Sequence, residues 1–259
     1  MELASWLIRG GGIVTLCHLI VGDIDELAEH EFREASSENL KKYLRERVVE
    51  AFVGCSVVSD LHEGIITALQ IHGISGLEPN TALIGLSHKP DIRRDQFHLM
   101  RKMVVVDKSV LYLHYNEERG YGRKKRIDIW WRGRDRNADL MLILAHILTR
   151  SVPWEGAKIR ILRLVENEEG RRGVEEHMRN LINSVRVDAV PVVLLKDHSE
   201  QPFQSDFHSA SRETDLTFLG VPVPKVEAFD SAIRFLEELL QSSPSVLFVR
   251  SAETDSILE

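Results

Sequence analysis

The fold class follows from residues 158–195, which read KIRILRLVENEEGRRGVEEHMRNLINSVRVDAVPVVLL. The two ends of this stretch are apolar runs rich in Val, Ile and Leu, as is typical of parallel strands that are covered on both faces. The middle is amphipathic, with the 3.6-residue period of a helix. Its apolar face consists of Val174, Met178, Leu181, Ile182 and Val185. Strand, helix and strand in that order predict a βαβ unit.

The same alternation continues on both sides of this unit. Nine apolar runs are predicted as strands, at residues 13–21, 51–58, 81–86, 109–115, 127–131, 158–165, 187–195, 215–220 and 245–250. The element order of residues 1–115 recurs in residues 127–259 at an offset of roughly 140 residues, which indicates duplication of one α/β unit. The sequence therefore predicts two tandem Rossmann-like α/β subdomains, mainly parallel and covered by helices, with residues 116–126 as a basic linker. We expect the first strand of the first subdomain to lie upstream of Met1, because the second subdomain opens with a strand and the first does not.

Composition excludes several classes of protein. The formal net charge of −7 over 259 residues supplies no broad basic field, so we expect no nucleic-acid partner. Cys17 and Cys55 are too few for a disulfide framework or a metal knuckle, which fits a reducing cytoplasm. The longest apolar windows are interrupted by His18 and His146 and are shorter than the ~18 residues of a membrane span.

Motifs for catalysis and for metal or phosphate binding are missing from the sequence. It contains no H-E-x-x-H, C-x-x-C or G-x-S-x-G pattern. Phosphate binding by an open α/β sheet needs a glycine-rich turn after a strand, whereas residues 221–224 read VPVP and residues 87–90 read SHKP. Proline removes a backbone donor and stiffens such a turn. We expect no catalytic residue, no metal and no cofactor.

One unusual local cluster lies at the carboxyl end of a predicted strand, where open α/β sheets tend to bind ligands. It contains Asp128, Trp130, Trp131, Arg132 and Asp135. The adjacent tryptophans must face opposite sides of the strand. Two interpretations remain open: the indoles are packing anchors for helices or a partner surface, which is the favoured one, or they line a ligand pocket.

The predicted linker contains a second cluster, this one basic, formed by Arg123, Lys124, Lys125 and Arg126. A solvated linker is the favoured interpretation. The alternative is contact with anionic lipid headgroups, for which each basic residue near the surface adds about 1 kcal/mol.

Several stretches resemble the carboxy-terminal cytosolic domain of the cation-chloride cotransporters, the family of Na-K-Cl and K-Cl cotransporters. They are GISGLEPNTALIG at 73–85, IDIWW at 127–131 followed by KIRI at 158–161, TDLTFLG at 214–220 and SVLFVR at 245–250. The residues that match the family's signatures, which we expect to be structural, are Gly73, Gly76, Leu77, Pro79, Asn80, Thr81, Gly85, Asp128, Trp130, Trp131, Asp215, Phe218 and Gly220. One departure is that GRDRNA at 133–138 replaces the family's Asp-Gly-Gly turn.

The resemblance implies a fold and a role. The family's cytosolic domain consists of two subdomains similar to universal stress proteins, pairs as a homodimer and follows a transmembrane domain that moves cations with chloride. By this resemblance we expect a regulatory and dimerisation domain at the cytoplasmic face of the cell membrane. It would act by protein contact, without chemistry of its own, and its transport domain would lie upstream.

Two other functions are weighed against this one. A tandem universal-stress-like nucleotide-binding protein would share the fold. This chain, however, matches the G-x-x-G-x-nine-G-[ST] phosphate loop of such proteins only in part. Gly73, Gly76 and Gly85 have the wrong final spacing, and Leu86 replaces the hydroxyl residue. A hydrolase or transferase is the third interpretation, and for it no nucleophile, base and orienting group can be named together.

Overall fold

The chain falls into two compact units. A computed structural model describes residues 1–8, 11–23, 25, 32–71, 78–132, 136–196 and 202–252. The first unit comprises Met1–Asn80 and the second Thr81–Glu259. All nine predicted strands are present in the described residues, with ends within two residues of the predicted ones.

The first unit contains a parallel pair of strands. Its elements are α1 (Glu2–Leu7), β1 (Thr15–Val21), α2 (Phe32–Glu46), β2 (Phe52–Val58) and α3 (Leu61–Ile71). Cys17 lies opposite Gly54 and Cys55 lies opposite His18, so the two thiols are on opposite faces of the pair. The carboxylate of Asp60 caps α3 by accepting the backbone N–H of Glu63 at 2.8 Å.

The second unit is built on a larger sheet. Its elements are β3 (Thr81–Gly85), α4 (Pro90–Val105), β4 (Ser109–His114), β5 (Arg126–Trp130), α5 (Arg136–Thr149), β6 (Lys158–Val165), α6 (Glu168–Val185), β7 (Ala189–Leu195), α7 (Phe203–Ser211), β8 (Leu216–Gly220), α8 (Phe229–Leu240) and β9 (Ser245–Arg250). Short 3-10 turns lie at Val152–Trp154 and Val226–Ala228.

The seven strands of this unit follow the order β3-β4-β9-β8-β5-β6-β7. Neighbouring strands are parallel except for β4 and β9, which are antiparallel. The central strands are apolar runs with both faces buried, as the sequence predicts for a sheet covered by helices. The chain runs outward from β5 to β7 and then returns to β8 on the other side of β5, so β5 and β8 flank the point where the strand order reverses.

The compact units divide at Asn80 and not at the predicted linker, residues 116–126. Antiparallel pairing of β4 with β9 brings strands from residues 1–115 and from residues 127–259 into one sheet. The segment before β5 is a hydrogen-bonded loop within the second unit, and its last residue, Arg126, is the first residue of β5. Duplication of one α/β unit remains a prediction from the repeated order of elements.

None of the helices in the described part of the chain is both long enough and apolar enough to span a membrane.

Candidate functional site in the Asp128 network and the Asp215 loop

Asp128 is a buried acid in the middle of strand β5, between Ile127 and Ile129. Its register partner on β6 is Arg160. The Nε and Nη2 groups of Arg160 donate to the two carboxylate oxygens of Asp128 at 2.8 and 2.6 Å. Nη2 also donates to the backbone carbonyl of Ala210 at 2.8 Å, close to the end of α7. A bidentate pair of this kind fixes both side chains in the plane of the guanidinium.

Hydroxyl groups complete the hydrogen bonding of this carboxylate. Ser211 and Thr214 donate to Oδ2 of Asp128 at 2.8 and 2.5 Å. The indole Nε1–H of Trp130, two residues further along β5, donates to Ser211 Oγ at 3.0 Å. The Asp128 network, defined as Asp128, Trp130, Arg160, Ser211 and Thr214, therefore ties the end of α7 and the loop between α7 and β8 to the sheet. A buried charge with all its partners in place is a structural element.

The two tryptophans pack on opposite sides of the sheet, as their adjacency requires. Trp130 lies against Phe203 and Phe207 of α7, with ring centroids 5.1 and 5.6 Å away. Trp131 lies parallel to the ring of His177 on α6 at 6.1 Å, and the guanidinium carbon of Arg163 lies 5.8 Å from the centroid of its ring. Both indoles are buried. They are packing groups within this unit, while Arg132 is exposed and Asp135 lies outside the described residues.

Asp215, the second signature acid, holds the loop that precedes β5. Its carboxylate accepts the backbone N–H groups of Arg123, Lys125 and Arg126 at 3.0, 2.7 and 3.0 Å. Gly122 has a φ of +45°, and a Cβ at this position would stand 2.1 Å from Oδ1 of Asp215. Only glycine permits this close approach. We call residues 119–126 the Asp215 loop. The Asp215 carboxylate fixes the backbone of this loop by accepting its N–H groups.

The basic side chains of the Asp215 loop extend from this fixed backbone. Arg123 and Lys125 are exposed, and Lys124 and Arg126 are half-buried. The Nζ of Lys125 donates to the backbone carbonyl of Glu155 at 3.1 Å, and Arg126 lies 3.6 Å from a carboxylate oxygen of Glu213. These local contacts take up part of the positive charge of the cluster.

The carboxyl edge of β8, beside the reversal point of the sheet, is filled by a side chain of α5. Asn137 donates from Nδ2 to the carbonyl of Val221 at 3.3 Å and accepts the N–H of Ser251 at 2.8 Å. A Cβ at Gly220 would lie 2.9 Å from the Cβ of Asn137, so glycine lets α5 approach the end of β8. The backbone N–H of Val221 is bonded to the carbonyl of Val249. The backbone and side-chain groups here therefore serve internal contacts.

The remaining signature residues lie on or beside strands. Pro79 and Asn80 precede β3, Thr81 opens it and Gly85 ends it, while Phe218 is buried in the middle of β8. Gly73, Gly76 and Leu77 lie outside the described residues.

A further cluster escaped the sequence analysis, at the carboxyl ends of β3 and β4. Arg93, on the first turn of α4, is buried and donates its Nε–H to the carbonyl of Ser87 at 2.6 Å. The ring of His114, the last residue of β4, lies edge-on to that of His88 at 5.5 Å. Burial lowers the pKa of His114 to about 4, with contributions from the charges of His88 and Arg93. A signal existed in the sequence, since His88 follows the predicted strand 81–86 and His114 is near the end of the predicted strand 109–115.

Metal ligands are not clustered in the part of the chain that the structure describes: no three His, Cys, Asp or Glu side chains there could hold an ion together. The geometry of the site is that of internal hydrogen bonding and ion pairing.

Comparison with solved structures identifies the class of domain first. The fold is similar to that in the crystal structure of the cytoplasmic domain of a prokaryotic cation chloride cotransporter, with a TM-score of 0.68 and 17% identity over 99% of this chain and 92% of that one. A functionally unknown protein of Pseudomonas aeruginosa is also similar, with a TM-score of 0.52 and 14% identity over 93% and 94% of the two chains. The class is a universal-stress-like α/β domain with mostly parallel strands covered by helices.

Comparison of sequences finds similarity to the cation-chloride cotransporters. Residues 90–212 match the family model of solute carrier family 12. Proteins named cation-chloride cotransporter 1 are similar to the chain, with 23% identity in Oryza sativa over 79% of this chain and 25% in Arabidopsis thaliana over 90%. The chain spans 21% and 23% of the length of these plant relatives. These matches confirm the resemblance of this chain to the cation-chloride cotransporters.

Proposed function

We propose that this chain is the cytosolic regulatory and dimerisation domain of a membrane cation-chloride cotransporter. One observation carries the proposal: the similarity to a cotransporter's cytoplasmic domain extends over 99% of the chain, so it includes both compact units. The matched part of the plant relatives is less than a quarter of their length, which leaves ample length for a transport domain elsewhere in such a protein.

The chemistry of the described residues supports a role through contact and not through catalysis. The signature acids Asp128 and Asp215 are saturated with internal donors, so neither is available as a general base. Their partners hold α7 and the Asp215 loop in fixed positions on the sheet. A domain of this kind presents a stable surface to other proteins.

The dimerisation part of the proposal is tested by the mass of the chain in solution. Light scattering coupled to gel filtration, from about 1 to 100 µM, should show a concentration-dependent mass that reaches that of a dimer. A monomeric mass across this range would contradict dimerisation and leave the family resemblance untouched.

The transporter part is tested separately on the gene. The coding sequence upstream of Met1 should encode about a dozen apolar segments of ~20 residues each. If the reading frame encodes no such segments, the proposed role in a membrane transporter is wrong.

The basic cluster of the Asp215 loop supports a weaker, additional proposal of contact with anionic lipid headgroups. Arg123 and Lys125 are its two exposed members. The double variant Arg123→Gln/Lys125→Gln should bind sedimented vesicles of phosphatidylserine and phosphatidylcholine less than the wild type. The matched control is Arg171→Gln/Arg172→Gln on α6, which removes the same charge elsewhere. Equal loss in both variants would leave only non-specific attraction and contradict the proposal.

A further inference from the structure

The outer strand of the large sheet, β7, has one covered face and one open face. Helix α6 packs on the first, where Val193 is 7% exposed. On the second, Val190 is 52% exposed, and Val192 and Leu194 are only half-buried. Leu164 of β6, the register partner of Leu194, is half-buried on the same face. We call Leu164, Val190, Val192 and Leu194 the β7 face.

An open apolar face is unusual for a sheet of this kind. Parallel strands carry apolar side chains on both faces because helices ordinarily cover both. On this face α7 lies over Trp130 of β5 and reaches Arg160 of β6, which donates to the carbonyl of Ala210. The β7 face lies one strand further out, where its apolar side chains meet solvent. A contiguous apolar surface in such a position marks an interaction site.

The edge of β7 is less suited to a partner than its face. Strand β7 is the last in the order of the described sheet. The backbone N–H of Lys196 donates to the carbonyl of Val165 on β6 at 2.8 Å. Because N–H groups alternate in direction along a strand, Pro191 stands where the N–H of another residue would point away from β6. Proline has no N–H, so it interrupts pairing with a further strand.

Exposed charges surround the β7 face at the ends of its two strands. They are Lys158 and Glu166 at the start and end of β6, and Asp188 and Lys196 just before and just after β7. The register places an acid of one strand beside a lysine of the other at both ends, so the signs alternate around the face. A two-fold axis in the plane of the face brings each acid against a lysine of the second copy, whether the axis runs along the strands or across them. The pattern is therefore complementary to itself, as an isologous interface requires.

From these observations we propose that two copies of this chain associate through the β7 face with two-fold symmetry. The inference rests on the proposed dimerisation and adds the surface that performs it. Contact with the β7 face of the second copy removes the apolar side chains of both from water. The four charged residues form the rim of the interface, where they select this partner over surfaces of uniform charge.

The proposal is tested by light scattering of the full chain over the same range of concentration. Val190→Lys places a charge on the β7 face, and each dimer buries two of these charges. The dissociation constant of the dimer should therefore rise at least about tenfold. Val105→Lys is the matched control, because Val105 at the end of α4 is 81% exposed and lies away from this face. Far-UV circular dichroism should show that both variants keep the fold.

The outcomes separate this surface from dimerisation itself. A dimeric wild type with equal dissociation constants for Val190→Lys and Val105→Lys would overturn the β7 face and leave dimerisation standing. A wild type that stays monomeric up to about 100 µM would overturn dimerisation, and this surface with it.

A charge reversal tests the rim. Asp188→Lys replaces an attraction by a repulsion twice in each dimer and should weaken association by about threefold or more. Glu176→Lys on α6 is the matched control, since it makes the same change of charge at an exposed position on the covered side of the sheet. Equal dissociation constants for these two variants would contradict the self-complementary rim and overturn the proposal.

Discussion

Arg160 and Arg93 are both arginines held against the large sheet, yet their surroundings differ. Arg160 meets a fully buried carboxylate with two parallel hydrogen bonds and adds a third to a backbone carbonyl. Arg93 is the more buried of the two and has a carboxylate only at 3.7 Å, with Nη1 unpaired among the described residues. The first arrangement satisfies the buried charge, and the second leaves one nitrogen of a buried guanidinium without a hydrogen bond.

The difference arises from the elements that surround each side chain. Asp128 stands on the strand next to Arg160, where register fixes the pair before any helix is added. Arg93 stands on α4 and is covered because α8 packs across it, with Phe97 and Phe229 5.4 Å apart. The packing of these two helices buries the guanidinium without bringing a carboxylate within hydrogen-bond distance of it.

The largest expected effect comes from breaking the Asp128 network. Asp128→Ala leaves Arg160 without its carboxylate, and we expect the free energy of unfolding to fall by about 3–5 kcal/mol. Urea denaturation followed by circular dichroism measures this change. The double variant Asp128→Leu/Arg160→Met removes both charges and should recover most of the loss. A loss below about 1 kcal/mol in the single variant would contradict the structural role of the network.

The next effect concerns the Asp215 loop. Gly122→Ala places a methyl group against the Asp215 carboxylate and forces a left-handed alanine, so we expect a loss of about 2 kcal/mol or more. Gly156→Ala is the matched control, since Gly156 has a φ of +74° but nothing within 4 Å of its Cβ position. That control should cost only about 1 kcal/mol. Equal losses of stability in the two variants would show that the Asp215 carboxylate moves away from the added methyl group without a measurable cost.

The pH dependence of stability tests the Arg93 side of the comparison. The pKa of His114 is lowered from 6.5 to about 4 by burial and by the charges of His88 and Arg93. Below pH 6.5 His114 becomes protonated in the unfolded chain but stays neutral in the folded chain. The free energy of unfolding therefore falls as the pH falls from about 6.5 towards about 4. His114→Phe should make this part of the profile shallower. Parallel profiles for variant and wild type would show that His114 does not contribute.

The smallest effect is expected where an ion pair is exposed on a helix. Arg179 and Glu175 on α6 lie 2.6 Å apart, as close as Arg160 and Asp128. Because water screens the exposed pair, Arg179→Ala should cost only about 0.3–0.5 kcal/mol in the same denaturation experiment. A loss of stability as large as that of Asp128→Ala would mean that the N–O distance, and not burial, sets the contribution of these ion pairs to stability.

Much of the fold was predictable from local patterns. The unit β6–α6–β7 is present with its strands starting at Lys158 and Ala189, against predicted starts at 158 and 187. The burial of Met178 and Ile182 agrees with the predicted apolar stripe of α6. Alternation of apolar runs and amphipathic segments is a short-range signal, so it can be evaluated within a window of about 18 residues.

Pairing across long separations was not predictable in the same way. The antiparallel contact of β4 with β9 joins residues such as Tyr112 and Phe248, and no local pattern encodes it. The Asp128–Arg160 pair had a partial signal, because each is a charged residue in the interior of a mostly apolar strand and the two charges are opposite. Arg93 had none, since an arginine on the first turn of a helix is ordinarily exposed.

The place of β9 has a consequence for how the protein is made. This strand is synthesised after the other eight, yet it lies between β4 and β8 in the finished sheet. A ribosome must therefore release residues 245–250 before the β3–β4 pair can join the strands around β5. During translation the earlier segments carry unpaired edges, and the time before β9 emerges is when the nascent chain most needs protection by chaperones.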